Sequence, residues 1–327
     1  MGTSQKSSLF AVVVAFSANL LIAIAKSIAA TLSGSASMVA EAAHSWADTG
    51  NEVFLLIAER RSARASDRRH PLGYGKEAYV WSMFAAMGLF TAGAVVSVMH
   101  GVTELTAPEA DADYLLSYIV LAVSAVLEGT SFVQAYRQAH ARASKRGLGT
   151  LEGVLGSSNP TLRAVFAEDA AALIGLVLAA AGILLHELTG YAVFDAIGSI
   201  LIGVLLAIVA LILIDRNRRF LVGQTTTPEI RSAIMGKLLE HDEVARVTYL
   251  HLEYVGPERL YLVAAVDMVG NEDEEHVAHA LRRVERQIEL DEHVAEAVLT
   301  LAHPDDPSLT TDGPADDTES DTVGRRD

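Results

Sequence analysis

Six apolar stretches mark out the first two thirds of the chain, each long enough to cross a bilayer core of about 30 Å as a helix. They run approximately over 9–32, 38–58, 78–100, 114–136, 160–186 and 191–214. The fifth opens on a helix start signal, with Ser158 or Asn159 as N-cap and Pro160 at the first helical position, where its missing N–H is no loss. After Gly223 the pattern becomes that of a water-soluble domain. Thr227, Pro228 and Glu229 open a helix to about Glu240, and two strand-like runs follow, Val244 to Tyr254 and Arg259 to Val269, joined through Gly256 and Pro257. A helix from about Glu272 to Leu290 and a strand near Ala295 to Leu301 complete an αββαβ order. The pattern predicts an α-helical membrane protein with six transmembrane helices over 1–220 and a small ferredoxin-like α+β domain over 221–302. The acidic tail over 303–327, rich in Asp, Thr, Ser, Gly and Pro, is expected to be disordered.

Composition sharpens this division. The chain is 51% apolar yet carries a formal net charge of −16, with much of the acid in the last third. That balance argues against a nucleic-acid partner and for a lipid bilayer around the first part. There are no cysteines, so disulfides, thiolate metal sites and cysteine nucleophiles are excluded. The first apolar stretch, from Leu9, is too long for a signal-peptide core and is expected to remain as a span. Basic residues collect after the second stretch (Arg60, Arg61, Arg64, Arg68, Arg69, Lys76), after the fourth (Arg137, Arg142, Lys145, Arg146) and after the sixth (Arg216, Arg218, Arg219). The loop after the third carries Glu104, Glu109, Asp111 and Asp113 instead. Basic short loops stay on the cytoplasmic side, so both termini and the soluble domain are expected there.

Candidate chemistry lies inside the apolar stretches, where an ionisable side chain costs about 2.5 to 3.5 kcal/mol at a helix centre on insertion scales. The second stretch contains Glu41, His44 and Asp48. His44 and Asp48 are four apart and share one helical face, roughly 6 Å from each other, and Asn51 continues that face. The fifth contains Glu168 and Asp169. If these two helices pack together, His44, Asp48 and Asp169 converge on a nitrogen and oxygen site, with Glu168 or water completing the tetrahedron that zinc accepts. One imidazole with carboxylates also suits Fe²⁺, Co²⁺ or Mn²⁺. The bland alternative pairs His44 with Asp48, or either with Lys26, as buried interhelical hydrogen bonds; a second acidic cluster in another span favours a metal pathway. Glu41 and Asp195 fall near the outer ends of their stretches, which suggests interfacial roles, and Asn19 and Lys26 either support the site or act in packing. No HExxH or GxSxG arrangement occurs, and His186-Glu187 lacks a second histidine, so an enzyme is not expected.

These residues resemble the cation diffusion facilitator family of divalent metal/proton antiporters. The likeness covers nearly the whole chain except the tail. It is most specific in Ser33-Gly34-Ser35, in Ala40-Glu41-Ala42-Ala43-His44-Ser45 through Asp48, and in His70-Pro71-Leu72-Gly73-Tyr74-Gly75-Lys76. The resemblance implies zinc efflux driven by protons, with the metal as cargo and no prosthetic group, a homodimer, and a place in the plasma (inner) membrane. It also implies that two pairs of residues spaced by four, one pair on each of the second and fifth spans, hold the ion. His44 and Asp48 match the first pair and Asp169 the second member of the other, but the remaining position is Val165. Glu168 adjoins Asp169, though neighbours on a helix point about 100° apart. This departure keeps open an Mn-, Fe- or Co-preferring transporter and a non-transporting, metal-sensing partner subunit. In the soluble domain His251, His279 and His303 fall near positions where relatives place ligands, while a usual partner is Ala265; surface histidines are the alternative. His276 and His279 share a helix face. The long His-rich loop of some zinc-specific relatives is absent, since only His140 occurs between the fourth and fifth spans.

Overall fold

The computed structural model describes residues 3–106, 113–144 and 147–310, with side chains from Phe16 onward. Glu109 and Asp111, Lys145 and Arg146, and positions 311–327 of the expected tail lie outside the described residues. The chain divides into two compact units. One comprises Met1–Arg61 with Glu77–Arg219; the other joins Ser62–Lys76 to Phe220–Asp327.

The first unit is helical: α1 (Thr3–Ser33), α2 (Ala36–Ser62), α3 (Glu77–Gly88) continuing through a π-helical segment (Leu89–Val95) into α4 (Val96–Glu104), α5 (Leu115–Ser144), the short α6 (Thr150–Leu155), α7 (Pro160–Thr189) and α8 (Val193–Val222). Among the described residues five helical stretches are long and apolar enough to cross a membrane: α1, α3 through α4, α5, α7 and α8. α2 has 27 residues but carries Glu41, Asp48 and Glu52 among them. Large apolar side chains face outward, for example Val126 at 66% and Val177 at 68% exposure, as lipid contact requires and water does not tolerate in bulk. Inside, Met38, Leu89, Leu121, Leu176, Ile183, Ile202 and Leu206 form the main core.

Polar groups fix where α2 and α7 begin. Asn159 Oδ1 accepts from Leu162 N at 3.2 Å and Pro160 occupies the first turn, so α7 starts as its sequence signal predicts. Asp195, read from sequence as interfacial, instead lies buried under the first turn of α2. Its carboxylate accepts from Ala36 N at 2.6 Å, Ser37 N at 3.2 Å and Ser35 Oγ at 3.0 Å. An anion at a helix N-terminus answers both the free N–H groups and the helix dipole.

The second unit contains α9 (Pro228–Leu239), β1 (Val244–Gly256), β2 (Arg259–Met268), α10 (Glu274–Ile288) and β3 (Val294–Leu301) in that order. The sheet order is β1-β2-β3. β1 and β2 pair antiparallel, with His251 opposite Val263; β2 and β3 pair parallel, with Leu262 opposite Ala297, and α10 supplies the crossover that a parallel pair needs. Leu238, Val247, Leu262, Val266 and Val284 fill the core between helices and sheet. Beyond β3 the chain keeps to the sheet edge, where Leu309 N donates to Val247 O and Arg246 reaches the carbonyl of Asp306.

The motif from His70 to Lys76 folds onto this sheet unit. Tyr74 Oη donates to Asp67 at 2.7 Å, His70 lies against the Tyr74 ring, and Arg64 stands 4.3 Å from the ring centre. Lys76 Nζ meets Glu253 Oε1 at 2.7 Å. Gly75 passes so close to the end of β1 that a Cβ there would lie 2.5 Å from Val255 O and 2.7 Å from Gly256 Cα. Only glycine fits. Hydrogen bonds from the Tyr74 hydroxyl and the His70 backbone hold the Asp67 carboxyl down from an ordinary 3.8 to about 2. A depressed carboxylate favours the folded loop above the ordinary value and loses that contribution as pH falls through the folded one. The Asp67 midpoint should therefore rise toward 3.8 in Tyr74→Phe, as followed by NMR; an unchanged midpoint would refute the bond. Gly75→Ala should destabilise the loop and sheet by about 1–3 kcal/mol, read as lost hydrogen-exchange protection in β1 and β2.

Candidate metal centre

The helical unit encloses a cavity of about 400 Å³ between α1, α2, α5 and α7. Five carboxylates line it: Asp48 and Glu52 from α2, Glu128 from α5, and Glu168 and Asp169 from α7. The helices that carry them touch directly. Asn51 Nδ2 on α2 donates to Glu168 Oε1 on α7, and Gly175 of α7 leaves room for the Glu41 carboxylate of α2, which a Cβ would approach to 2.5 Å.

Four of the five carboxylates have a hydrogen-bonding or ionic partner, Glu168 through Asn51. Asp169 Oδ2 accepts from Ser131 Oγ at 2.9 Å, and Glu52 Oε1 from Asn19 Nδ2 at 2.6 Å. Glu128 Oε1 meets Lys26 Nζ at 2.9 Å, and the same ammonium lies 2.7 Å from Glu41 Oε2. Asp48 Oδ1, Glu52 Oε2, Glu128 Oε2 and Asn51 Oδ1 are buried without a hydrogen-bond partner among the described residues. His44 is fully buried, and neither ring nitrogen makes a hydrogen bond; its Nε2 stands 3.4 Å from Asp48 Oδ2. Native interiors rarely leave so many polar atoms unmatched. The cluster is chemically suited to a cation that would supply the missing interactions.

Residues 12–222 match the family model for the cation efflux transmembrane domain. The chain belongs to the cation efflux (cation diffusion facilitator) family. Metal tolerance protein C4 of Arabidopsis thaliana is 35% identical over 234 residues, covering 71% of this chain and 51% of that protein. The mitochondrial proton-coupled zinc antiporter SLC30A9 of Xenopus laevis is 35% identical over 260 residues, 79% of this chain and 46% of that protein, and its human counterpart is 34% identical over the same length. The chain thus spans about half the length of these curated relatives. Apolar helices and family together make it a multi-pass membrane protein in a family of transporters.

In this cation efflux protein the residues singled out in sequence fall as follows. Asp48, Glu168 and Asp169 share the cavity, His44 sits beside Asp48 behind its wall, and Asn51 bridges to Glu168. Val165, which the resemblance pairs with Asp169, lines the cavity too, with a side chain unable to ligate a metal. No three His, Asp or Glu groups among the described residues stand close enough to hold an ion between them in this conformation. In the sheet unit His251 on β1 is 4.0 Å from Glu253, His279 is exposed on α10, and His303 lies after β3 near Asp305. Glu52 and Glu128 were not singled out. Glu128 is an acid inside the fourth apolar stretch, and Glu52 lies one turn beyond Asp48, so the same rule about ionisable groups in apolar segments would have found both.

Close packing at Gly175 should be testable. Gly175→Ala forces a methyl against the Glu41 carboxylate and should lower stability by about 1–3 kcal/mol. Gly50→Ala meets nothing within 4 Å and should stabilise α2 by about 0.5–1 kcal/mol. Thermal unfolding of the purified protein in detergent checks both, and equal effects would contradict the packing.

Proposed function

We propose that this protein exports a divalent metal ion, zinc first, across the plasma (inner) membrane in exchange for protons. The observation that carries the reading is the cavity between α2 and α7 with its five carboxylates and the neighbouring, unpartnered imidazole of His44. In this reading α2 is a sixth span despite its acids, the span ends rich in Arg face the cytoplasm with both termini, and the αββαβ unit is a cytoplasmic ferredoxin-like domain that helps form a homodimer. The first domain runs to about residue 220, the second over 221–302.

His44, Asp48 and Asp169 are the principal ligands, with Glu168 beside them and Asn51 orienting Glu168. The helices rock so that the cavity opens to one side and then the other. Coupling follows from the ligands' own chemistry: imidazole binds metal only when neutral, and carboxylates must give up protons to ligate, so each metal ion bound releases protons and each released ion allows them back. Zinc is placed first because SLC30A9 relatives are named as zinc antiporters. A single imidazole among carboxylates suits Mn²⁺, Fe²⁺ or Co²⁺ as the next candidates. Val165 in the cavity wall supports one further reading, a metal-sensing partner subunit that does not transport.

Uptake of zinc into proteoliposomes under an imposed proton gradient tests the proposal. Wild type should load the vesicles, and Asp48→Ala and Asp169→Ala should fall to the rate of protein-free vesicles. A wild type that binds zinc yet gives no flux would favour the sensor. Val165→His should strengthen zinc binding about tenfold, equivalent to roughly 1.4 kcal/mol, with little gain for manganese; equal gains for both metals would count against a site at this position.

A further inference from the structure

We infer that Lys26 is a tethered cation of the ion pathway: in the metal-free carrier its ammonium occupies the cavity carboxylate of Glu128, and an arriving divalent ion takes Glu128 as an additional ligand by displacing it. The inference rests on the metal-transport reading above and adds to it a binding residue, Glu128, and a competitor, Lys26.

The geometry divides the Lys26 triad into a fixed half and an exchangeable half. Lys26 and Glu41 are both fully buried and 2.7 Å apart, with Glu41 seated against Gly175 away from the cavity lining. Glu128 is the outer member. Its side chain is 14% exposed, it lines the same cavity as Asp48 and Asp169, and its second oxygen, Oε2, is buried without a partner among the described residues. Glu128 therefore offers the cavity an oxygen that Lys26 does not use.

Charge decides the rest. Five carboxylates around one cavity repel each other, and the ammonium of Lys26 is the basic group bonded to one of them. Arg163, the other fully buried basic side chain described, is engaged elsewhere, with Ser157 O and Asn217 Oδ1. A divalent ion among Asp48, Glu128 and Asp169 supplies the same neutralisation with more charge and repels the ammonium. The flexible stem of lysine lets Nζ withdraw toward Glu41 without moving a helix. Release of the metal returns Lys26 to Glu128, so that this carboxylate keeps a cation in the empty cavity. A purely structural triad would hold α1, α2 and α5 together and have no bearing on metal affinity.

Equilibrium binding of radioactive zinc to the purified full chain in detergent separates these alternatives, and it is scored apart from vesicle flux. Lys26→Met/Glu41→Gln removes the competitor while conserving the charge of the buried pair; it should bind zinc about tenfold more tightly than wild type. Glu128→Gln should bind about tenfold more weakly. Lys26→Arg, which keeps the charge, should lie closer to wild type than the double variant does. Size-exclusion profiles establish that each variant is folded. Wild-type dissociation constants in both Lys26→Met/Glu41→Gln and Glu128→Gln would overturn the inference while leaving the transport reading intact; wild-type binding without flux would overturn transport and leave the competition standing.

Discussion

A carboxylate withdrawn from water must be met by a cation or by donors, and the helical unit is organised around that requirement. Asp48, Glu52, Glu128, Glu168 and Asp169 come from three helices into one cavity, and polar neighbours answer part of the charge of all but Asp48. Asn19 serves Glu52, Asn51 serves Glu168, Ser131 serves Asp169 and Lys26 serves Glu128. What these donors leave unanswered, chiefly single oxygens of Asp48, Glu52 and Glu128 and both nitrogens of His44, is the capacity that the proposed function assigns to a metal ion.

The same economy explains how the scaffold is built. Helix α2 carries Glu41, Asp48 and Glu52 along its length, and it is anchored at several polar points. Asp195 caps its first turn, Lys26 meets Glu41, and Asn51 bridges to Glu168. The apolar helices around it contribute close packing, with glycines such as Gly175 letting a carboxylate lie against a helix backbone. Under the proposed function, stability and metal binding draw on the same residues, and changes at the cavity are expected to alter both.

Much of the helical layout was legible in sequence because hydrophobic length is a strong signal: five of the six apolar stretches correspond to α1, α3 with α4, α5, α7 and α8, the sixth, 38–58, falls on the acid-bearing α2, and the start of α7 follows from Asn159 and Pro160. The αββαβ element order was legible from alternation and turn residues for the same reason. The π-helical segment at Leu89–Val95 was not, because no local residue choice announces it. Nor was the attachment of the His70 to Lys76 motif to the sheet unit, which depends on Gly75 and Gly256 meeting across more than half the chain. At the site, spacing by four drew attention to His44 and Asp48 but passed over Glu52 and Glu128. Asp195 was misread as interfacial because its partners, the N–H groups of Ala36 and Ser37, are invisible until two distant helix starts meet.

The most direct test of the central idea is anomalous diffraction, recorded above and below the zinc absorption edge, from crystals of the full chain grown with zinc. The account predicts a peak inside the cavity between α2 and α7, with oxygens of Asp48 and Asp169 at roughly 2.0–2.2 Å. Zinc found only on histidines of the sheet unit, with the carboxylates of α2 and α7 bonded to protein alone, would contradict it.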